Sequence, residues 1–138
     1  MNIYAVIDTN VIVSAMLKRN SVPWIIVNKL FDGTIIPLTN SEIIKEYEEV
    51  LSRKKFSFNK KDVKNFITEF KKKAIFLDRT NSDEQFVDLD DIVFYEIVLT
   101  ARKKSKNSYL VTGNKKHFPI KPYIITPNEM LEIINQKN

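Results

Sequence analysis

The sequence predicts an α/β fold, a sandwich of helices packed on a mainly parallel, five-stranded sheet. Two observations predict it. Five short apolar runs of strand length recur along the chain, and stretches with helical hydrophobic spacing fall between them, the alternation that builds a parallel sheet. The opening run Ile3-Tyr4-Ala5-Val6-Ile7 is nearly continuous in apolar residues and stops at Asp8-Thr9-Asn10, as a strand buried on both faces does.

The elements follow in order. Helical spacing covers Val11–Leu17 and Pro23–Phe31, and Ile35–Leu38 reads as the second strand. The next helix, Asn40–Ser52, opens on Thr39 and Glu42, which read as a capping box, and carries Ile43, Ile44, Tyr47, Val50 and Leu51 at helical spacing. Glu46 and Glu48 flank that stripe while Glu42 and Glu49 point toward water; periodicity alone leaves the choice between the two flanking glutamates open. From Arg53 to Lys73 lysines alternate with Phe56, Phe58, Phe66 and Phe70, which reads as core with a basic rim around a helix at Lys60–Lys73. A third strand at Ala74–Leu77, a helix at Asp91–Lys104, strands at Tyr109–Thr112 and Tyr123–Ile125 and a helix at Asn128–Asn135 complete the chain. No repeat, linker or low-complexity segment divides it, so residues 1–138 read as a single domain.

Composition narrows the chemistry. There is no cysteine and one histidine, His117, so thiolate zinc sites, cysteine nucleophiles and multi-histidine cages are excluded, and any metal must rest on oxygen ligands. Twenty-two Lys and Arg against 17 Asp and Glu give +5, which favours a polyanionic partner without naming one. No apolar run reaches the roughly 18 residues that span a bilayer, and the first run is too short for an ordinary signal peptide, so a cytoplasmic protein with no membrane partner is expected.

Asp8 stands where the first strand ends, the place where open parallel sheets bind ligands; its alternative role is to cap the following helix. Asp88, Asp90 and Asp91 crowd one helix start, where the helix dipole favours acids and a purely structural cap competes with a functional one. In a doubly wound sheet Asp8, a glutamate of the middle helix and these acids could converge on one crevice. Such a cluster of like charges calls for a hard cation, and oxygen ligands with water in the remaining positions suit Mg²⁺ or Mn²⁺.

The segments Val6-Ile7-Asp8-Thr9-Asn10-Val11-Ile12-Val13-Ser14, Ser41 to Leu51, Asp88-Leu89-Asp90-Asp91 and Tyr109-Leu110-Val111-Thr112-Gly113-Asn114 together resemble the PIN-domain family, in the branch of toxin components of toxin–antitoxin systems. The resemblance spans nearly the whole chain and keeps the motif order. It implies a three-layer α/β/α fold and a metal-dependent endoribonuclease. It also implies Asp8, Glu46 and Asp91 as the catalytic and metal-binding acids, with Asp88 as a nearby acid, and selects Glu46 over Glu48. Where relatives usually read Thr-Gly-Asp, this chain has Thr112-Gly113-Asn114, a neutral amide at a ligand position, although an Asn oxygen can still coordinate. Thr9, Asn10 and Thr112 are candidates for contacts to substrate or to water on the metal, and equally for caps; Lys115 and Lys116 are candidates for RNA phosphates, and equally for solvated surface. His117 reads as an exposed residue rather than a general acid. A small antitoxin protein and a homodimer are the partners the resemblance implies.

Three functions compete on this reading: the ribonuclease, a catalytically weakened PIN-fold domain that binds RNA or a partner, and a phosphatase or receiver domain with Asp8 as nucleophile. The last lacks a second Asp two residues after Asp8 and an acid pair before the first strand.

Overall fold

The computed structural model describes residues 2–137. The elements are β1 (Ile3–Ile7), α1 (Thr9–Leu17), α2 (Val22–Phe31), β2 (Ile35–Thr39), α3 (Ser41–Leu51), α4 (Lys60–Lys73), β3 (Ile75–Phe76), α5 (Ile92–Arg102), β4 (Ser108–Val111), β5 (Ile124–Ile125) and α6 (Pro127–Lys137). Single 3-10 turns lie at Lys54–Phe56, Leu89–Asp91 and Lys115–His117. The sheet order is β3-β2-β1-β4-β5, and all its pairings are parallel, so the sheet is wholly rather than mainly parallel.

The five apolar runs become the five strands. Ile3, Ala5, Val6 and Ile7 are buried, as expected of a central strand covered on both faces. The third run yields only a two-residue strand at the sheet edge, where Ile75 and Phe76 stay 41% and 50% exposed. Helices cover both faces: α2 packs against α1, α4 and α6, while α5 packs against β1, β2 and β4. This is a three-layer α/β/α sandwich. Gly33 ends the α2 corner at φ +88°, a left-handed conformation that glycine adopts without a Cβ penalty.

The start of α3 differs from expectation. Thr39 is buried as the last residue of β2, and the cap is Asn40, whose Oδ1 accepts the Ile43 N–H at 2.9 Å. A strand that runs directly into a helix leaves one junction residue for the cap, and here Thr39 still belongs to the ladder. Glu42 does not close a box; it ion-pairs with Arg79 at 2.8 Å. The α5 helix likewise starts one residue late, because residues 89–91 wind as a 3-10 turn capped by Asp88.

Core and basic rim separate cleanly in α4. Val63, Ile67 and Phe70 are buried, Phe66 packs edge-on to Phe31 at 5.7 Å, and Phe56 and Phe58 stack on each other before the helix. Among the described residues no helix is long and apolar enough to cross a membrane.

Candidate functional site

Strand order determines where a site can form. From β1 the chain crosses to β2 on one side, while β4 lies on the other, so a crevice opens where connections diverge at the carboxyl ends of β1 and β4. Asp8 follows β1 and Thr112 follows β4; the Asp8 N–H donates to Val111 O at 2.9 Å, continuing the ladder to the rim. The Thr112 hydroxyl donates to Asp8 Oδ2 at 2.8 Å. Asp8 occupies the N-cap position of α1 but makes no side-chain cap bond, so its carboxylate is turned into the crevice instead.

Glu46 arrives from α3. The neighbouring Tyr47 is fully buried, stands edge-on to Phe70 at a centroid distance of 5.3 Å, and donates its hydroxyl to the Ile7 carbonyl immediately before Asp8. That anchor fixes the rotation of α3, and Glu46 then accepts a hydrogen bond from the Thr9 hydroxyl. Glu48, on the other flank, is exposed and edges a groove of about 820 Å³ beside Arg53, Lys54, Lys60, Lys64 and Lys71. The structure therefore sets Glu46, not Glu48, beside Asp8.

Asp91 comes from the turn that opens α5. Its side chain is only 14% exposed, and Oδ2 is buried without a hydrogen-bond partner. Its carboxyl is pushed up from 3.8 to about 7, by burial first and then by the charges of Asp8, Asp88 and Glu46, with His117 opposing. The Asp8 carboxyl is raised by burial, against the Thr112 hydrogen bond; Glu46 is raised by burial and by Asp8, Asp90 and Asp88, against the Thr9 hydrogen bond. Burial thus raises three carboxyls from three elements, and Asp91 feels the charges of the other two. Among the described residues, no group of three or more His, Asp or Glu side chains forms a ready-made metal cage. The donor set nevertheless fits a hard divalent cation: oxygen donors, mutual repulsion, and one buried carboxylate oxygen left unpartnered.

Asp88 lies exposed at the rim, its Oδ1 accepting the Asp90 N–H at 2.9 Å, so it acts locally as a turn cap while its charge reaches the crevice. Thr9, Asn10 and Thr112 tie the site together. Asn10 Oδ1 accepts the Gly113 N–H at 3.1 Å, and a Cβ at Gly113 would come within 3.3 Å of that oxygen, so a larger residue there would have to push the Asn10 side chain back by a few tenths of an ångström. The Asn114 N–H donates to Thr112 Oγ1 at 3.0 Å, and its side-chain amide lies 3.1 Å from His117 Nε2. Lys115 pairs with Glu129 at 3.1 Å, whereas Lys116 is exposed and in no ion pair among the described residues.

The sequence reads His117 as an exposed residue. Its ring is half-exposed, yet Nδ1 lies 3.7 Å from Asp91 Oδ2. Only its three-residue distance from Asn114, one 3-10 turn, hinted at this.

The PIN domain profile matches residues 4–116, from β1 through the loop after β4, and so includes Asp8, Glu46, Asp91 and Asn114. An uncharacterized protein of Methanocaldococcus jannaschii is similar, 29% identical over 96% of this chain and 92% of its own length. With the crevice acids and the parallel sheet in the order described, the chain belongs to the PIN-domain family, whose members are generally nucleases that typically use divalent metals.

Proposed function

We propose that this chain is a divalent-metal-dependent endoribonuclease and the toxin of a toxin–antitoxin pair. The observation that carries the reading is the gathering of Asp8, Glu46 and Asp91 from three separate elements into one crevice, where Asp91 Oδ2 is buried without a hydrogen-bond partner and the charges of Asp8 and Glu46 help push its carboxyl up. Carboxylates held in this way repel unless a cation lies among them. Asp8, Glu46 and Asp91 would hold it, with Asp88 and Asn114 beside them, and the oxygen donors suit Mg²⁺ or Mn²⁺. When bound, such an ion supplies Lewis-acid charge at the phosphate and lowers the pKa of water.

The chain's own residues fix the reacting groups. Thr112 orients Asp8, Thr9 orients Glu46, and Asn10 holds the Gly113 loop against the rim. The exposed Lys116 can reach a flanking phosphate, while Lys115 would first have to leave Glu129. In the hydrolysis proposed, water oxygen bonds to phosphorus, the P–O3′ bond breaks, and the departing 3′ oxygen takes a proton, leaving a 5′-phosphate. The partners proposed with this activity are a small antitoxin and a second copy of the chain. What supports a protein partner is the exposed apolar pair Val87 and Leu89, which flank Asp88 in the chain and are 98% and 75% exposed.

Cleavage of a mixed pool of labelled RNAs with Mn²⁺ or Mg²⁺ tests the reading, comparing wild type, Asp8→Asn and Asn114→Asp. Metal-dependent cutting that Asp8→Asn abolishes is the expected result. A second reading, a catalytically weakened domain that binds RNA or a partner, is favoured by the neutral Asn114. No cutting by wild type but cutting by Asn114→Asp would select it, and no cutting by any variant would sink the nuclease.

A further inference from the structure

We propose that His117 is a ligand of the divalent cation beside Asp91, and that Asn114 serves to orient its ring rather than to bind the ion itself. The proposal rests on the metal-dependent reading above and names a ligand outside the acid set. His117 Nδ1 faces Asp91 Oδ2 at 3.7 Å, and that oxygen is buried with no hydrogen-bond donor. The gap is too long for an N–H···O bond. Two neighbouring donor atoms about 2.1 Å from one cation lie about 3.0 Å apart in an octahedral and about 3.4 Å in a tetrahedral arrangement, so a small closure of the 3.7 Å gap brings both onto one ion.

The other ring nitrogen is already engaged. Nε2 lies 3.1 Å from Asn114 Nδ2, and a half-turn of that amide, which exchanges its nitrogen and oxygen, brings the oxygen to the ring instead. With the oxygen toward the ring, Asn114 accepts Nε2–H and leaves the Nδ1 lone pair directed at Asp91. A second N–H held by a carbonyl is the usual support of a metal-bound histidine. The backbone keeps the two residues in register, since the His117 N–H donates to Asn114 O at 3.2 Å. The same loop is tied to Asp8 through Thr112, which accepts the Asn114 N–H and donates to the Asp8 carboxylate. A carboxylate at position 114 would add charge to the acids; an amide that presents an imidazole adds a neutral nitrogen instead. First-row transition ions accept that nitrogen more readily than Mg²⁺, which keeps to oxygen, so the chain should favour Mn²⁺.

The test uses the purified chain, stripped with a chelator, titrated calorimetrically with Mn²⁺ and with Mg²⁺, and loaded with Mn²⁺ for pulsed electron paramagnetic resonance. His117 is the only histidine, so a directly bound imidazole nitrogen has one source. Wild type is expected to show that nitrogen coupling, and His117→Ala to lose it with about 10-fold weaker Mn²⁺ binding and a smaller loss for Mg²⁺. Asn114→Ala should weaken Mn²⁺ binding in wild type and have no further effect in the His117→Ala background. If Asp8→Asn abolishes Mn²⁺ binding while His117→Ala changes neither affinity nor spectrum, the proposal falls and the metal-dependent reading stands. If wild type binds neither ion, both fall.

Discussion

Thr112 shows how far one hydroxyl can act in this crevice. It donates to Asp8 Oδ2 at 2.8 Å and accepts the Asn114 N–H at 3.0 Å, so it links the first acid to the loop after β4. Thr112→Val keeps the shape and removes both bonds. A hydrogen bond to a charged group is worth about 1.5–3 kcal/mol, so kcat/KM for RNA should fall roughly 10- to 100-fold with the circular dichroism spectrum unchanged. Loss below threefold would mean that the bond does not orient Asp8 for the reaction. The acids were legible in the sequence to different degrees. Asp8 ends a continuous apolar run, which locates it at a strand end without further information. The hydrogen bonds from Thr9 to Glu46 and Thr112 to Asp8 join residues far apart in the chain, and no local pattern encodes them. Local periodicity left Glu46 and Glu48 equivalent; the difference is made by Tyr47, whose hydroxyl reaches Ile7 and sets the rotation of α3.

Among the elements, the strands and helices were readable because each carries its own hydrophobic period, and their ends were not, because caps depend on one or two atoms. Thr39 and Asn40 are both good cap residues, and only the extent of the β2 ladder decides for Asn40. Asn40→Ala should therefore destabilise the fold by about 1 kcal/mol in urea unfolding, whereas a larger loss from Thr39→Val would restore Thr39 as the cap. The stretch from Leu77 to Val87, between β3 and the acids before α5, was illegible for another reason: it has no period, and its order comes from an ion pair. Glu96 sits 7% exposed in a helix that otherwise buries apolar residues, and it accepts Arg79 Nε at 2.7 Å and the Ser82 N–H at 2.8 Å. Arg79 also reaches Glu42, so it joins this segment to both α3 and α5. Arg79→Ala leaves a buried carboxylate short of its cation, and a loss of about 3 kcal/mol is expected. The midpoint of urea unfolding checks it, and a change below about 1 kcal/mol would show that Ser82 alone suffices for Glu96.

For the molecule as a whole, the question is how a chain of net charge +5 carries an acidic pole. Its lysines crowd α4, while Asp8, Glu46, Asp88 and Asp91 meet at the carboxyl ends of β1 and β4, so attraction of a polyanion and storage of negative charge occupy different regions. Storing that charge has a sign in pH. The Asp91 carboxyl is raised from 3.8 to about 7, so between those values the folded chain holds a proton that the unfolded chain has released. Stability therefore falls as pH rises through that window, and the full penalty is present above about 7. A divalent cation among the acids offsets the repulsion and binds only the folded chain, so it should raise the melting temperature by several degrees at concentrations near 100 Kd. The rise should be larger at pH 8 than at pH 5, because at pH 5 protons already relieve the repulsion and compete with the metal. Asp91→Asn should melt higher than wild type at pH 8 without metal and respond less to Mn²⁺. Scanning calorimetry at the two pH values, with Mn²⁺ and with chelator, measures each of these. An equal metal response at pH 5 and pH 8 would show that the cation does not bind where the raised carboxyl lies, and would move the search for the metal away from Asp91.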